Sequence, residues 1–437
     1  MSNNLSEYKT DHHGWSEFLP ARKRKSSLTG DVRTPWLVVG AGLTGLSAAH
    51  RLAILNPNEN IVLVDARNVG QGASGRNSGF AVQHSQFPGA YDKKMVNEYQ
   101  RVNRINQAGL SLLRTSVLDN TIDCAWHEDG FHHAAVDDMA LHECEHFQGY
   151  LQGLEISHTA LNRDELSERL GSSVYTRGFH VHDGVLLQPA SLVRGLADSL
   201  PNNVTLFESS PVMTMSYGKQ ITAQCGSGRI TADKVIIATN YEAPKLGYLN
   251  RRLIGSTLSG SFTRVLNTHE LESLGRKRQW GILSLHGGGA TVRLTKDGRI
   301  CLRNTAEYSG AKLLSDHQLH KRQSIHREAF ERRFPQLKNV PFEYAWSGVE
   351  GISHNGTNFF GQQRENVFIA GGYNGSGVSR GTAFGWALAE YATGGHSELV
   401  SDCLKSKSAT WLPPRPFLDI GAAFGVRSRF KGVGRDR

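Results

Sequence analysis

Three glycines in the order Gly-x-Gly-x-x-Gly, Gly40, Gly42 and Gly45, directly follow a short apolar run. The first permits a tight turn, the second lets a pyrophosphate approach the backbone, and the third lets a helix pack closely on the preceding strand. Asp65 lies twenty residues after Gly45, where a carboxylate is expected to bind a ribose hydroxyl. The combination predicts a dinucleotide site. The acid disfavours a 2′-phosphate but leaves NAD and FAD as alternatives.

Regular elements surround these residues in the order that such a site requires. Residues 36–39 form an apolar run typical of a buried parallel strand, and apolar residues recur at helical spacing after Gly42. A second apolar run, 61–64, ends at Asp65. We therefore predict a βαβ unit whose helix directs its N-terminal amides at the phosphates.

Two further glycine-rich stretches bear on the choice between the two cofactors. The loop 68–79 has small and polar residues with one cation, Arg76, and can place amides and a guanidinium against an extended polar ligand. Residues 366–378 again have the order strand, glycines, helix, so a second helix N-terminus could face an electron-rich ring. An NAD site needs no such distant second half, and the sequence favours FAD.

The chain resembles the flavoprotein oxidoreductases of the D-amino-acid oxidase and sarcosine oxidase superfamily. It is most similar to their bacterial amine-oxidising branch, typified by gamma-glutamylputrescine oxidoreductase. The matching motifs, in family order, are GAGLTGLSAA at 40–49, GQGASGRNSG at 70–79, Asp183-Gly184, the run 234–240, Asp297-Gly298-Arg299, Trp346-Ser347-Gly348 and the C-terminal glycine cluster. The resemblance implies an α/β fold. A Rossmann-like FAD-binding domain of the glutathione-reductase type would carry an inserted α+β substrate domain with a mainly antiparallel sheet.

The resemblance also implies an extended FAD. Its adenosine end is expected near 40–67 with Val212 on the adenine side, although Val212 has an alternative as a core residue. Residues 73–79 are expected along the path to the isoalloxazine ring and 372–378 at its pyrimidine ring. The expected cofactor residues are Gly40, Ala41, Gly42, Leu43, Thr44, Gly45, Asp65, Ala66, Arg67, Gly72, Ala73, Ser74, Arg76, Asn77, Ser78, Gly79, Val212, Thr239, Asn240, Gly372, Tyr373, Asn374, Gly375, Ser376, Gly377 and Val378.

The resemblance further bears on how FAD is attached. Covalent-flavin relatives use a cysteine shortly after the tryptophan motif or a histidine near the GAS loop. Residues 346–360 contain no cysteine and 70–79 no histidine. Non-covalent FAD is therefore expected.

The predicted domains are discontinuous. The FAD-binding domain takes 31–118, 183–241 and 341–400, and the substrate domain takes 119–182 and 242–340. Pro335 ends a helical pattern and returns the chain to the FAD-binding domain. An N-terminal extension, 1–30, and a basic C-terminal tail, 401–437, lie outside both domains.

Charge and cysteine usage limit partners and compartment. The net charge of +9 is not clustered on a nucleic-acid-binding motif, and we expect no nucleic-acid partner. Much of the excess lies in sequences expected to be solvated tails: Arg22 to Lys25, Arg427, Arg429, Lys431, Arg435 and Arg437. Five cysteines without a CxxC pair favour a reducing compartment. With no secretory signal in 1–30 and no run of ~20 apolar residues, we expect a cytoplasmic protein without a transmembrane segment.

Two other kinds of site are disfavoured. His132, His133, His142 and His146 are candidate metal ligands, but no further ligand stands at a suitable spacing, and we predict no metal. A serine hydrolase is disfavoured because no GxSxG elbow follows a strand.

The resemblance implies oxidation of a C–N bond in an amine or amino acid. A hydride passes from the α-carbon to flavin N5, and the imine hydrolyses to an aldehyde or keto acid. O₂ is the expected acceptor, with H₂O₂ as product. One alternative is a dehydrogenase that passes electrons to a quinone or electron-transfer protein, held near a membrane by the basic tail. Another is a non-catalytic flavin-binding protein.

Several side chains are candidates for substrate contact, each with an alternative as a packing or surface residue. They are Tyr373, Asn374, Ser379, Arg303 and His354. A substrate carboxylate could pair with Arg303 or Arg380. Arg76 either lies near the flavin, where its charge favours the anionic reduced ring, or hydrogen-bonds loop carbonyls.

Overall fold

Two eight-stranded sheets organise the chain. The computed structural model describes residues 13–87, 89–430 and 433–437. The strands among them are β1 (Gly30–Val39), β2 (Ile61–Val64), β3 (Phe80–Ala81), β4 (Phe131–Ala135), β5 (His158–Asn162), β6 (Arg177–Val181), β7 (Val185–Leu186), β8 (Val204–Phe207), β9 (Val212–Tyr217), β10 (Ile221–Cys225), β11 (Gly228–Ile237), β12 (Ile254–Thr263), β13 (Trp280–Ser284), β14 (Thr291–Leu294), β15 (Ile300–Glu307), β16 (Phe342–Ile352), β17 (Phe359–Arg364) and β18 (Val367–Gly371).

Helices connect and cover these strands. They are α1 (Gly14–Glu17), α2 (Leu43–Leu55), α3 (Ala73–Arg76), α4 (Val96–Asp119), α5 (Asp138–Gly153), α6 (Arg163–Leu170), α7 (Pro189–Asp198), α8 (Thr268–Glu272), α9 (Asp316–Arg333), α10 (Gly377–Ala392), α11 (Glu398–Leu404) and α12 (Phe417–Phe430). Short 3₁₀ turns cover Lys93–Met95, Asn240–Leu246, Pro335–Leu337 and Gly434–Asp436.

The first sheet has the order β17-β18-β11-β1-β2-β8, and the β9–β10 hairpin pairs with β11. Strands β18, β11, β1, β2 and β8 run parallel. Their central residues are apolar and fill both faces: Val38 and Leu63 pack towards the helices, while Leu37 and Val62 pack towards the hairpin. The carboxyl ends of these parallel strands therefore open at one edge of the sheet.

Two helices of the first layer pack unusually closely. A Cβ atom built on Gly385 of α10 would lie 2.1 Å from the Thr44 carbonyl oxygen of α2. Only glycine allows this approach, which brings the N-terminal ends of α2 and α10 to the same side of the sheet.

The second sheet has the order β16-β12-β15-β14-β13-β4-β6-β5. All its pairs are antiparallel except β13 with β4. Helix α9 packs on β12, β15 and β16, with Phe330 in the core between them. The predicted fold class, an α/β dinucleotide-binding layer with a mainly antiparallel second sheet, is confirmed.

The domain bounds stay a prediction, and one strand departs from them. Strand β16 falls in the segment assigned to the FAD-binding domain but pairs with β12 from Ile254↔Ile352 to Thr263↔Phe342. It therefore belongs to the second sheet, and the chain re-enters the first sheet only at β17.

The expectation of solvated basic residues at the ends is wrong for Arg22, whereas Lys23, Arg24, Lys25, Arg435 and Arg437 are exposed as expected. Arg22 forms ion pairs with Asp198 and Glu208, both with N–O distances of 2.8 Å. At the other end, Asp436 is buried and pairs with Arg333. Arg427 is exposed. Residues 1–12 and Lys431 lie outside the described residues, as does the side chain of Arg429.

In the described part of the chain, no helix has the length and apolar character needed to cross a bilayer. The five cysteines are unpaired and buried.

Candidate functional site

A cavity of about 350 Å³ lies at the carboxyl ends of β1, β2, β11 and β18 and extends to the second sheet. In parallel sheets this edge is where ligands bind. The following predicted residues line it: Gly40, Ala41, Gly42, Leu43, Thr44, Asp65, Ala66, Arg67, Gly72, Ala73, Ser74, Arg76, Asn77, Ser78, Val212, Thr239, Asn240, Arg303, Tyr373, Asn374, Gly375, Gly377 and Val378.

The starts of α2 and α3 meet at Ser74. The Leu43 amide donates to Ser74 Oγ at 3.0 Å, and a Cβ on Gly42 would lie 2.9 Å from that oxygen. A Cβ on Gly45 would lie 1.7 Å from the Gly40 carbonyl oxygen, so Gly45 is required for packing and does not line the cavity. The two helix N-termini direct amides into a space that suits an anion.

Asp65 lies at the end of β2, where its carboxylate accepts two backbone hydrogen bonds. Ala41 N donates to Oδ2 at 2.7 Å and Arg67 N donates to Oδ1 at 2.8 Å. Withdrawal from bulk water raises the pKa of Asp65 to about 6, although the two amides oppose the shift. The carboxylate thus ties the glycine turn to β2 and titrates close to neutral pH.

Side chains after β11 complete this end of the cavity. Arg67 forms a bidentate pair with Glu242, with distances of 3.1 and 3.2 Å, and this carboxylate raises the pKa of Arg67 despite its burial. Tyr241, Glu242 and Lys245 line the cavity but were not predicted. The positive φ of 46° at Asn240 marks the sharp turn that brings them there.

Arg76 is a buried cation that lines the cavity. Its Nε donates to Gln71 O at 2.7 Å, its Nη1 to Ser347 O at 3.0 Å, and its Nη2 to Gln71 Oε1 at 3.0 Å. No carboxylate of the described residues forms an ion pair with it, and burial lowers the pKa of Arg76 to about 10. The guanidinium both ties loop 71–76 to β16 and leaves a positive charge beside the cavity.

Trp346 of β16 contacts this loop and also lines the cavity. Its Nε1 donates to Arg76 O at 3.0 Å, and its ring stacks on Phe262 with a centroid distance of 4.6 Å. Trp15 packs edge-on against Phe262 at 4.7 Å. The described part of the N-terminal extension is thus a structural support for the cavity wall.

Arg293 was not predicted and holds the far end of the same loop. Its Nη1 donates to the carbonyl oxygens of Gly79 at 3.1 Å and Leu187 at 2.5 Å. A Cβ on Gly79 would lie 2.1 Å from that nitrogen, so Gly79 makes room for Arg293 and does not line the cavity. Burial lowers the pKa of Arg293 to about 10.

The glycine cluster after β18 is fixed by hydrogen bonds of its own side chains. Tyr373 Oη lies 2.7 Å from Thr44 Oγ1, and Asn374 Oδ1 accepts from Ser353 N at 2.9 Å. Asn240 Oδ1 accepts from Gly372 N at 2.9 Å. Tyr373 and Asn374 thus shape the cavity wall, and their substrate contact stays a prediction.

The second sheet closes the cavity with apolar and charged groups. Arg303 of β15 donates to Thr291 Oγ1. Glu350 of β16 lines the same end and was not predicted. The remaining lining residues at this end are Leu258, Ser259, Gly260, Leu283, Thr291, Trp346, Gly348, Val349 and Gly351 of the second sheet, with Phe80 of β3 and Val82 after it.

Two predicted substrate residues are not brought to the cavity. His354 is exposed in the turn after β16, because the strand ends at Ile352. Ser379 is buried in α10 where Gly109 of α4 packs against its carbonyl oxygen. Gly372 and Ser376, expected at the cofactor, also lie outside the lining: Gly372 packs on Phe359, and Ser376 precedes the first turn of α10.

Arg380 also fails to reach a ligand position. Its guanidinium is buried and donates to Asn106 Oδ1 at 3.1 Å and Ser85 Oγ at 2.6 Å. Arg380 therefore ties α10 to α4 and to the segment after β3. This role is structural and replaces the expected contact with a substrate carboxylate.

The candidate metal ligands lie on β4 of the second sheet, which carries His132 and His133, and on α5, which carries His142 and His146. His132 packs on His180 with ring centroids 4.6 Å apart, and burial lowers the pKa of His132 to about 3. Gln86 Nε2 donates to His133 Nδ1 at 2.7 Å. Over the described residues, no three His, Cys, Asp or Glu side chains are grouped so that they could hold a metal ion.

Comparisons with known proteins agree with this geometry. The sequence model of a family described as FAD dependent oxidoreductase (DAO) matches residues 36–391. Gamma-glutamylputrescine oxidoreductase of Escherichia coli (strain K12) is 26% identical over 407 residues, which cover 89% of this chain and 90% of that protein.

Solved structures share the fold. Glycine oxidase from Bacillus cereus ATCC 14579 superimposes with a TM-score of 0.71 at 17% identity, covering 87% of this chain and 100% of that chain. L-Proline dehydrogenase from P. horikoshii gives a TM-score of 0.68 at 17% identity, covering 85% and 96%. At these identities the likeness establishes the fold alone.

Proposed function

The chain belongs to the DAO family of FAD-dependent oxidoreductases, and from this premise we propose that it oxidises a C–N bond of an amine or amino acid. The superfamily predicted from the sequence is thereby confirmed. One observation carries the proposal: a continuous cavity joins the dinucleotide-binding edge of the first sheet to charged side chains of the second. The relatives' names refer to an acylated diamine, glycine and proline, which all contain such a bond.

The residues present fit FAD. Thr239 lines the cavity, and its buried Oγ1 has no hydrogen-bond partner among the described residues. The cavity runs from Asp65 past Ser74 to Val378, so the starts of α2, α3 and α10 all face it. Asp65 would hold the ribose, the α2 amides the phosphates, and Val378 with its neighbours the ring. Bound FAD supplies an acceptor for the substrate hydride.

The second sheet supplies the substrate end in this proposal. Leu258 and Leu283 of this sheet, together with Phe80 of β3, provide apolar contact and exclude water around the carbon that reacts. Arg303 binds a substrate carboxylate, and Glu350 gives the same end a negative group that favours an amine. A substrate with both an amine and a carboxylate complements this pair of charges.

The test is an anaerobic mixing screen that follows flavin absorbance. The substrates are γ-glutamyl-polyamines, free polyamines, N-methyl amino acids, and D- and L-amino acids. We expect at least one class to bleach the flavin. Readmission of O₂ with formation of H₂O₂ supports an oxidase, whereas slow reoxidation by O₂ and fast reoxidation by a quinone supports a dehydrogenase. Failure of every class would favour a non-catalytic flavin-binding protein.

We also propose a cytoplasmic location.

We expect FAD to be held without a covalent bond. In the described structure the cavity lining contains no cysteine and no histidine, and Cys301, the cysteine of β15, is buried behind the lining in the cluster of Phe262 and Trp346. Acid precipitation should therefore leave the yellow colour in the supernatant. Flavin that stays with the pelleted polypeptide would contradict this expectation.

FAD retention should depend on the ionisation of Asp65. The ionised carboxylate accepts hydrogen bonds from ribose hydroxyls, and the pKa near 6 means that protonation competes at mildly acidic pH. Retention should be constant above about pH 7 and weaken by up to about tenfold per unit as the pH falls through 6. Fluorescence of released flavin measures this. The Asp65→Asn variant should bind FAD weakly at every pH, because it lacks the group that titrates. If FAD retention in this variant kept the pH dependence of the wild type, the assignment of Asp65 to the ribose would be refuted.

Replacement of Arg303 by glutamine should weaken binding of carboxylate-bearing substrates. Loss of one partly buried charge-assisted contact is expected to raise KM about tenfold, with a much smaller change for amines without a carboxylate. Steady-state kinetics on one substrate of each kind measure the difference. Arg276→Gln, at an exposed arginine far from the lining, is the matched control. Equal effects of Arg303→Gln on both substrate kinds would refute the carboxylate role.

A further inference from the structure

The C-terminal helix exposes an apolar surface unlike the rest of the described surface. Among the described residues, ten large hydrophobic side chains are exposed, and four lie between positions 411 and 424. The exposed fractions are 63% for Trp411, 66% for Phe417, 66% for Ile420 and 73% for Phe424. The other six are scattered over the chain, as is normal for a soluble surface. We call these four side chains the tail patch.

The large exposed apolar side chains of the helix lie on one side. At 100° per residue, Phe417, Ile420 and Phe424 project from one side of α12, with Arg427 at its margin. The half-buried residues Leu418, Ala422 and Val426 lie on the opposite side. Because that opposite side packs on the protein, the three large side chains face solvent.

The chain on both sides of α12 is fixed to the body. Before it, Leu412 N donates to Arg251 O at 2.7 Å, and Arg251 Nε donates to Leu412 O at 3.0 Å. Within it, Tyr308 Oη donates to Asp419 Oδ1 at 2.7 Å. After it, Asp436 is buried against Arg333. The tail patch is therefore held at a defined place on the surface.

Cations border the patch. The Arg252 guanidinium lies 4.5 Å from the Trp411 ring centroid, and both Arg415, which precedes α12, and Arg427, near its end, are exposed. Asp419 is the one acid in residues 408–430, and it is engaged by Tyr308 and Arg415. An isologous contact with a second copy of the chain would bring these arginines face to face, which disfavours self-association.

We infer that the tail patch docks on a bilayer surface rich in anionic lipids. Aromatic and aliphatic side chains on one side of a helix, flanked by arginines, are suited to insertion at the headgroup boundary, while the arginines bind lipid phosphates. Docking of this kind needs no membrane-spanning helix to hold the enzyme at the surface. It is independent of the substrate that the cavity takes.

Flotation of the FAD-loaded protein with vesicles tests this. The vesicles are phosphatidylcholine alone or phosphatidylcholine with phosphatidylglycerol, at low and at physiological salt. We expect binding to the anionic vesicles at least tenfold stronger than to the neutral ones, and weaker binding at higher salt. Absence of binding to anionic vesicles at low salt would overturn the proposal.

Two double variants assign the binding to the tail patch. Ile420→Ser/Phe424→Ser should bind anionic vesicles at least tenfold more weakly, with normal flavin content and circular dichroism. Ile54→Ser/Leu118→Ser removes two exposed apolar side chains elsewhere and should bind like the wild type. Equal vesicle binding by the first variant and the wild type would overturn the proposal. So would a wild-type dimer, seen by light scattering, that the first variant converts to a monomer without any vesicle binding.

Discussion

Gly42→Val is expected to give a folded protein that has lost most of its FAD. The backbone at Gly42 has φ −81° and ψ −177°, which valine adopts without strain. The new Cβ would lie 2.9 Å from Ser74 Oγ, so Ser74 must move and its bond from the Leu43 amide is disturbed. The valine side chain also occupies space beside the amides that bind the phosphates, and a clash of about 3 kcal/mol with the cofactor corresponds to about a hundredfold loss of affinity.

The ratio of flavin to protein absorbance after gel filtration measures this loss. Gly218→Val is the matched control, because Gly218 lies in the β9–β10 turn and a Cβ there is 3.8 Å from the nearest atom, Gln220 O. Gly45→Ala separates folding from binding, since its Cβ would lie 1.7 Å from the Gly40 carbonyl oxygen and should destabilise the fold itself. Normal flavin content in Gly42→Val would exclude this loop as the phosphate-binding element.

The part of the site that sequence analysis anticipates is the part that depends on local backbone requirements. The glycine turn at 40–45 and the loop at 70–79 contain residues whose spacing reports a turn, a close approach or a helix start. Such requirements act between residues close in sequence. The lining from Gly40 to Thr44 and from Gly72 to Ser78 therefore contains most of the residues expected from these two stretches.

The lining residues of β12 and β16 that were not anticipated come from strand pairing between distant segments. Leu258 on β12 is paired with Gly348 of β16, and Ser256 is paired with Glu350. No local pattern states which strands will be neighbours. One available signal was the alternation along β16, which puts Trp346, Gly348 and Glu350 on one side. His354 has the same parity but lies beyond the end of the strand at Ile352.

Ion pairs of the terminal segments were missed for the same reason, because their partners are distant in sequence. Arg22 was interpreted as part of a solvated basic run because its acidic partners, Asp198 and Glu208, are more than 170 positions away in sequence. The buried pair of Arg333 and Asp436 is also remote in sequence. A basic run therefore predicts a solvated tail only when none of its residues pairs with an acid from a distant segment. Sequence spacing alone does not reveal such a partner.

Arg76→Met is expected to lower the reduction potential of bound FAD. The guanidinium is buried beside the cavity without a carboxylate partner among the described residues, so its charge is poorly screened. A charge in that position stabilises the anionic reduced ring by about 1 to 3 kcal/mol. For a two-electron couple this corresponds to a potential lower by about 20 to 60 mV in the variant. Dye-equilibrated reductive titration measures the shift.

The same substitution should also lower stability, because the two roles considered for Arg76 are both compatible with its contacts. Methionine leaves the carbonyls of Gln71 and Ser347 without their donor, which we expect to cost about 2 kcal/mol of unfolding free energy. Arg76→Lys separates the roles: it keeps the charge but cannot reproduce the three-point fork. If the charge acts on the flavin, the lysine variant is destabilised but keeps a potential near that of the wild type. If Arg76 only ties the loop to β16, then both variants lose stability while holoenzyme of either keeps the wild-type potential and reduction rate, and the electrostatic role is eliminated.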